Sequence, residues 1–203
     1  VSMKANSDGS ESPYEINITL FDACMGTRRG VDHFQVQRFL CSQAIMLAMQ
    51  GIPALYIHSF TASANDLAHV EQTGRTRSIN RKVWDKDELE YLLSNSVTAQ
   101  AEVFNELSRM IRVRRQQPAF SPDARQDVVK INSDVFILQR TSVDGSQRIY
   151  AISNVTERIL KLPLAALGFL ENGLMDILAL EPTTLIDELV LYPYQTVWLS
   201  QSS

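Results

Sequence analysis

The sequence predicts an α/β segment over residues 1–117 and an all-β segment over residues 118–203. In the first segment, helical patterns flank one continuous apolar run, and such runs are typical of strands that are buried on both faces of a parallel sheet. In the second segment, short strand-like runs alternate with turn signals. That pattern is typical of a small antiparallel β-sandwich.

Composition places the chain among ordinary globular proteins. It has 203 residues, of which 45% are hydrophobic and 21% charged, with a formal net charge of -4. That charge provides no general attraction to nucleic acid or to an anionic membrane, so we expect neither as a partner. Cys24 and Cys41 lie in mostly apolar surroundings, and we interpret them as reduced core thiols of a cytoplasmic protein.

The N-terminal residues predict little regular structure. Residues 1–13 are rich in Ser, Gly and Asn and show no periodicity, so we expect a loop or a frayed end. Residues 14–26 alternate loosely and contain β-branched side chains, which indicates a short strand or an extended segment.

A helix is predicted over residues 33–50. Asp32 and Gln35 have the spacing of a capping box, apolar residues then recur at helical intervals, and Gly51 stands where a helix stop is expected. The apolar run "IPALYIHS" (52–59) follows directly and predicts a strand that is covered on both faces.

A long polar loop from Phe60 to Val83 follows that strand, at the end where α/β folds place binding groups. Helices are predicted over 86–93 and 97–117, because leucines and other apolar residues recur there at helical spacing. One parallel strand with a few helices cannot cover its own faces. We therefore expect residues 1–117 to be the last piece of a barrel or sheet whose earlier strands are missing.

The pattern changes at Pro118 and Pro122, where helical periodicity stops. Six strand-like runs follow up to residue 200, with a turn signal "VDGS" at 143–146. We therefore place a domain boundary at 117/118.

Candidate functional residues concentrate in "GRTRSINR" (74–81). Arginine presents a planar fork of donors that suits carboxylates, phosphates and hydroxyl pairs, and three arginines stand here beside Asn80. The alternative is that these arginines pair with surface carboxylates, and the sequence leaves both possibilities open. Tyr14 and Glu15 are a weaker candidate pair, and His58 is interpreted as a hydrogen-bonded core histidine. No residue spacing indicates a metal site, and we expect no cofactor.

Together, "YEIN" (14–17), "IPALYIHS", the pair Asn65-Asp66 and "RSINR" (77–81) resemble the C-terminal part of the sucrose-phosphorylase-like branch of the α-amylase superfamily, glycoside hydrolase family 13. The resemblance implies the C-terminal portion of a (β/α)8 (TIM) barrel, followed by a small antiparallel β-sandwich domain. It also implies an enzyme of carbohydrate metabolism, with a small glucoside and inorganic phosphate as its partners.

In this family, an Asp nucleophile, a Glu acid/base and a second, stabilising Asp catalyse a retaining double displacement. By resemblance, we expect all three upstream of Val1, so no catalytic residue is assigned in this chain. Arg77, Tyr14, Glu15 and Asn80 are the substrate-binding candidates, with Arg77 on glucose hydroxyls and Tyr14 near the phosphate.

The loop that contains Tyr14 departs from the sucrose phosphorylase pattern. Those enzymes carry Leu-Asp-Leu-Tyr-Gln there, whereas this chain has "ESPYE" at 11–15, with Ser12 and Glu15 in place of the Asp and Gln. The loop looks closer to relatives that act on glucosylglycerate. We therefore expect part of a glucoside phosphorylase, inactive in isolation and with barrel faces that promote self-association. The alternatives are a hydrolase or transglucosidase of the same superfamily and a carbohydrate-binding β domain without catalysis.

Overall fold

Short helices and two-stranded hairpins make up the first part of the chain, and antiparallel strands dominate the last part. The computed structural model describes residues 1–163, 174–179 and 188–201. By their internal contacts, the residues form two units, Val1–Gln35 with Leu55–Phe104 and Val36–Ala54 with Asn105–Ser203. In the described part of the chain, no helix has both the length and the apolar character that crossing a membrane requires.

The elements are numbered in chain order. The α-helices are α1 (Leu20–Ala23), α2 (Gln35–Ala48), α3 (Ile57–Phe60), α4 (Leu67–Thr73), α5 (Lys86–Ser94) and α6 (Ala99–Arg115), with 3₁₀ helices at Thr76–Asn80 and Pro118–Phe120. The strands are β1 (Ser2–Ala5), β2 (Glu11–Glu15), β3 (Gly26–Thr27), β4 (Gly30–Val31), β5 (Arg125–Val129), β6 (Val135–Thr141), β7 (Arg148–Asn154), β8 (Leu160–Pro163), β9 (Leu174–Asp176), β10 (Glu188–Leu191) and β11 (Thr196–Gln201).

The three helices predicted from periodicity are confirmed as α2, α5 and α6, each within two residues of the predicted limits. At the start of α5, the Asp85 carboxylate accepts a hydrogen bond of 3.0 Å from the Glu88 N–H, which satisfies one of the free donors of the first turn. At the start of α2, the Gln35 side-chain amide donates to the Phe21 carbonyl at 3.0 Å. This use of Gln35 differs from the predicted capping box.

The predicted strand over 52–59 is wrong for this chain. Residues 52–56 form no regular element, and 57–60 form α3. A strand needs a hydrogen-bonded neighbour, and no strand pairs with this run within the described ranges. Its apolar side chains are consequently uncovered, with Ile52 84% and Tyr56 51% exposed.

The predictions for the N-terminus also need correction. Residues 1–13 are not a frayed loop, because β1 and β2 pair there as an antiparallel hairpin. The turn between them places Gly9 at φ +82°, a conformation that glycine adopts without a steric penalty. Extended structure accordingly stops at Glu15, and most of the predicted strand over 14–26 is replaced by α1 and a short turn region.

Helix α2 ends against two guanidinium groups. Arg114 Nε donates to the Leu47 carbonyl at 2.8 Å, and Arg114 Nη2 donates to the Gly51 carbonyl at 3.1 Å. Arg140 Nη1 donates to the Ala48 carbonyl at 2.8 Å. The last carbonyls of a helix lack partners within the helix, so these two cations satisfy them and complement the negative end of the helix dipole.

The second unit is built on a five-stranded antiparallel sheet with the order β5-β6-β7-β11-β9, together with the antiparallel pair β10-β8. Five of the six strand-like runs predicted after residue 118 are confirmed as β5 to β9, and the sixth, residues 188–200, is divided into β10 and β11, which lie in different sheets. One hydrophobic cluster joins the sheet to the β8-β10 pair, and its members are Val135, Ile137, Tyr150, Ile152, Leu162, Leu174, Leu189, Leu191, Val197 and Leu199. The unit therefore has the packed apolar core expected of a sandwich.

The other face of that sheet is buried as well. Trp198 on β11 is fully buried, and its ring centroid lies 4.6 Å from that of Phe120. Arg140 on β6 is also fully buried beside this ring. Its guanidinium donates to the Ser121 and Ala124 carbonyls at 2.8 and 3.2 Å, in addition to the bond to Ala48. A charge in this position is tolerated because carbonyl oxygens surround it.

The change from helices to strands falls where the sequence predicts it, since α6 ends at Arg115 and β5 begins at Arg125. By internal contacts, however, most of α2 and the last part of α6 belong to the same unit as the strands. The boundary at 117/118 stays a prediction for the domains of the protein.

Candidate functional site

The β1–β2 hairpin positions Tyr14 and Glu15. Its turn is fixed locally, because the Asn6 N–H donates to the Ser10 carbonyl at 2.8 Å and the Asp8 carboxylate accepts the Ser10 N–H at 3.0 Å. Such short-range side-chain bonds are the reason that Asp and Asn favour turns. The hairpin brings the last two residues of β2 opposite the loop that contains the three arginines.

The loop is ordered by two successive helices. The Asp66 carboxylate caps α4 by accepting the His69 N–H at 2.9 Å, and Gly74, in the left-handed conformation at φ 65°, follows the last residue of α4 and terminates it. The chain then forms the 3₁₀ helix Thr76–Asn80, which carries Arg77. Ser78 in this helix is buried, and its hydroxyl lies 2.8 Å from the Thr73 hydroxyl.

Arg77 and Glu15 form an ion pair, with Arg77 Nε donating to Glu15 Oε2 at 2.9 Å. The two side chains are 52% and 32% exposed, so water reaches both. The hydrogen bond to Glu15 raises the pKa of the Arg77 guanidinium, followed by the charge of Glu15 and smaller effects of Tyr14. Arg77 is therefore a permanent cation, and its carboxylate partner stands where another anion could bind.

The residues around this pair border a cavity of about 490 Å³ that is open to solvent. It is lined by Ser2, Tyr14, Glu15, Gly74, Arg75, Thr76, Arg77 and Arg81. Three guanidinium groups and one carboxylate give the lining an excess of positive charge. Such a cavity suits an anionic ligand, or one that combines hydroxyls with a carboxylate or phosphate.

The structure brings three of the four predicted site residues together and places the fourth elsewhere. Asn80 lines a smaller cavity of about 230 Å³ together with Thr19, Tyr56 and His58. Its backbone carbonyl accepts a hydrogen bond from the Tyr56 hydroxyl at 3.1 Å. A direct role of Asn80 in substrate binding stays a prediction.

His58 has the environment expected of a core histidine. It is buried, its Nδ1 lies 3.1 Å from the Ser63 hydroxyl, and burial lowers its pKa. A lowered pKa keeps the imidazole neutral near pH 7.

Comparison with known proteins gives a consistent result. Glucosylglycerate phosphorylase of Escherichia coli K12 is 37% identical over 199 residues, which are 98% of this chain and 34% of that protein. Sucrose phosphorylase of Streptococcus mutans is 28% identical over 144 residues, 71% of this chain and 27% of that protein. Pullulanase of an Anoxybacillus species, solved with maltotetraose, has the same fold, with a TM-score of 0.62 and 16% identity over 90% of this chain and 26% of that chain. No family model matches.

By sequence, the chain belongs to the family of glucosylglycerate and sucrose phosphorylases, and its fold matches that of a solved α-amylase. It spans only 26% to 34% of the length of the first three curated relatives, all of which are glucosylglycerate phosphorylases. What the complete protein binds and converts is therefore a matter for proposal.

Arg75 and Arg81, which belong to the arginine-rich loop singled out in the sequence, line the cavity. Ser2 and Thr76, whose hydroxyls lie 3.2 Å apart, line it as well and were not among the sequence candidates. The sequence shows that the arginines are clustered along the chain, but it does not show that their side chains line one cavity. Ser2 could have been found from the turn signal "NSDGS" (6–10), which folds the N-terminus back along β2.

Proposed function

We propose that the chain is part of a retaining α-glucoside phosphorylase. The enzyme would transfer a glucosyl unit from a small glucoside, such as glucosylglycerate or sucrose, to inorganic phosphate and so form α-glucose 1-phosphate. In the double displacement, an enzyme carboxylate replaces the aglycone at C1, and a phosphate oxygen then replaces the carboxylate. Two inversions at C1 retain the α configuration.

The cationic cavity around Arg77 is the observation that carries this proposal. A phosphorylase must bind phosphate where a hydrolase needs only water, and the cavity holds Arg75, Arg77 and Arg81 against the single carboxylate of Glu15. Arginine forks bind phosphate and carboxylate through paired N–H donors. In the proposed site, Arg77 exchanges Glu15 for substrate groups, and Tyr14 lies beside the incoming phosphate.

The same charge pattern favours a donor with an anionic aglycone. The carboxylate of a glycerate moiety would compensate the positive lining, whereas the fructosyl group of sucrose carries no charge to do so. Relatives that are at least 33% identical are glucosylglycerate phosphorylases, and those named for sucrose are at most 31% identical. We therefore propose glucosylglycerate as a better donor than sucrose.

The proposal extends to the parts of the protein that the chain does not include. We take residues 1–117 as the last βα units of a (β/α)8 barrel and residues 118–203 as its C-terminal β-sandwich domain. The nucleophile, the acid/base and the stabilising Asp would lie on earlier barrel strands, so the chain alone would not turn over substrate. We retain the cytoplasm as the expected location.

The test uses the full-length protein that contains this chain. With glucosylglycerate and inorganic phosphate, α-glucose 1-phosphate should accumulate, and its formation should cease without phosphate. Equal release of free glucose with and without phosphate would instead identify a hydrolase, and binding of the sugar without any product would identify a carbohydrate-binding protein.

Two matched variants connect the activity to the cavity. Arg77→Ala should lower kcat/KM for every donor alike, since this residue is proposed to serve the shared glucosyl site. Arg125 also pairs with a carboxylate, at 2.9 Å from Asp127, but lies on β5. Arg125→Ala should therefore leave kcat/KM unchanged. If both variants lost kcat/KM equally, the activity would not depend specifically on the cavity.

A further inference from the structure

Two reciprocal hydrogen bonds join the start of α1 to the start of α4. The Asn65 N–H donates to Asp22 Oδ2 at 2.8 Å, and the Thr19 N–H donates to the Asn65 side-chain oxygen at 2.8 Å. Each segment thus supplies one backbone donor and one side-chain acceptor. We call this arrangement of Thr19, Asp22 and Asn65 the clasp.

Both halves of the clasp are held in place locally. The buried Thr19 caps α1, since its hydroxyl oxygen accepts the Asp22 N–H at 3.2 Å. On the other side, the fully buried Ala62 has φ 45°, a conformation that costs energy for any residue with a Cβ. The hydroxyl of Ser63 stabilises this turn, with the Thr61 hydroxyl at 2.9 Å and the Trp84 Nε1 donor at 3.1 Å.

From Asn65, contacts lead directly to the Arg77 side of the cavity. The N–H of the adjacent Asp66 donates to the Ile79 carbonyl at 2.8 Å, which ties the start of α4 to the 3₁₀ helix that carries Arg77. The hydroxyl contact between Thr73 and Ser78 ties the end of α4 to the same helix. The position of Arg77 therefore depends on where α4 begins.

From Asp22, contacts lead to the opposite side of the cavity. Helix α1 begins five residues after Glu15, and within that interval the Asn17 side-chain amide donates to the Ser2 hydroxyl at 2.7 Å. Ser2 also lines the cavity, as do Tyr14 and Glu15. The segment that supplies Asp22 thus also supplies the hairpin side of the site.

We propose that the clasp is a positioning device for the anion site. By fixing α1 to the start of α4, it sets the spacing between the hairpin side with Tyr14 and Glu15 and the loop side with Arg77. Asp22 and Asn65 do not line the cavity, so they act through these residues and not by contact with substrate. The inference rests on the proposed function, because the ligand whose affinity the spacing controls is inorganic phosphate.

The experiment compares Asp22 variants of the full-length protein in the phosphorolysis assay. Asp22→Ala removes the acceptor of the Asn65 N–H, and a lost hydrogen bond to a charged group is expected to raise KM for phosphate about tenfold, with kcat within about twofold of wild type. Asp22→Asn keeps an oxygen in the same position and should restore KM. Asp22→Glu keeps the charge but displaces it by one methylene group, and it should raise KM severalfold even if the alanine variant does not fold.

A matched control separates positioning from general stability. Asp85→Ala removes another bond from a backbone N–H to a carboxylate, at the start of α5, and should leave KM for phosphate unchanged. A purely structural role of Asp22 would reduce kcat with the folded fraction at constant KM, and that result would overturn the proposal. Equal KM values for Asp22→Ala and Asp22→Asn would overturn it as well.

Backbone hydrogen exchange tests the clasp without relying on activity. Amides of residues 75–81 should exchange at least severalfold faster in Asp22→Ala than in the wild type, and at wild-type rates in Asp22→Asn and Asp85→Ala. If the wild-type protein forms no α-glucose 1-phosphate, the proposed function fails and exchange alone decides whether the clasp holds the loop. Unchanged exchange in Asp22→Ala would refute the clasp whatever the activity.

Discussion

Replacing Arg140 by methionine tests how a buried cation contributes to the stability of the strand unit. Arg140 is fully buried, and its two terminal nitrogens donate to the carbonyls of Ala48, Ser121 and Ala124 at 2.8, 2.8 and 3.2 Å. The methionine side chain matches the unbranched stem of Arg140 out to about Nε, so the substitution keeps most of the stem packing and removes the terminal donors and the charge.

The expected magnitude follows from two opposing effects. Hydrogen bonds to a charged group contribute about 1.5–3 kcal/mol each, so losing the two 2.8 Å bonds costs about 3–6 kcal/mol and leaves buried carbonyls without donors. Removing the charge recovers part of its desolvation cost. This cost is reflected in the pKa of Arg140, which is lowered mainly by burial and further by the charge of Arg114. We expect a net loss of about 3 kcal/mol in the free energy of unfolding.

Urea unfolding followed by tryptophan fluorescence measures this loss. A Trp84→Phe background leaves Trp198, which lies in the strand unit beside Phe120, as the only tryptophan. With a urea slope of about 2 kcal/mol per M, Arg140→Met should lower the midpoint by about 1.5 M. Arg140→Lys keeps a cation with fewer well-placed donors, so its urea midpoint should lie between those of the wild type and Arg140→Met. An unchanged or higher midpoint for methionine would show that desolvation outweighs the hydrogen bonds.

Three further predictions concern the site, a turn and the exposed surface. In the full-length protein, Glu15→Gln should shift the preference between glucosylglycerate and sucrose as donors, and an unchanged ratio of their kcat/KM values would remove Glu15 from the aglycone side. Hydrogen bonds from Ser142 and Ser146 lower the pKa of Asp144 from 3.8 to about 2, so its stabilising effect is complete above about pH 4 and is lost as the pH falls towards 2. Asp144→Asn should therefore flatten the decline of urea midpoints over that pH range, and an identical decline would contradict this assignment. The isolated chain should show no phosphorolysis and should self-associate through exposed apolar residues such as Ile52 and Tyr56; a monodisperse monomer in sedimentation would argue against the latter.

Local patterns were sufficient to predict the three longest helices and the strands after residue 118. Helix α6 and the strands after residue 125 follow directly from periodicity and turn signals, because neighbours within the chain cover their apolar faces. The run at 52–59 has the same quality of signal, but a strand also needs a pairing partner, and residues 52–56 have none among the described strands. The sequence pattern thus reports the environment that a segment requires, whether or not the chain supplies it.

The candidate site was predictable only in part. Arg77, Tyr14 and Glu15 were identified from resemblance; an ion pair at 2.9 Å joins Arg77 to Glu15, and Tyr14 lines the same cavity. The clasp was not predicted, although Asn65 stood out as part of a family motif. Its bonds join residues 43 and 46 positions apart, and no local propensity encodes a contact over that separation.

The hydrogen bonds that Arg114 and Arg140 donate to carbonyls at the end of α2 have a consequence for the order in which the chain folds. The helix lies early in the sequence, but the donors that satisfy its final carbonyls stand 67 and 92 positions later. During synthesis, which proceeds from the N-terminus, the end of this helix must stay hydrated until those residues have been translated. A ribosome paused before residue 140 would therefore carry a nascent chain in which this helix frays at its end, although all of its own residues are already made.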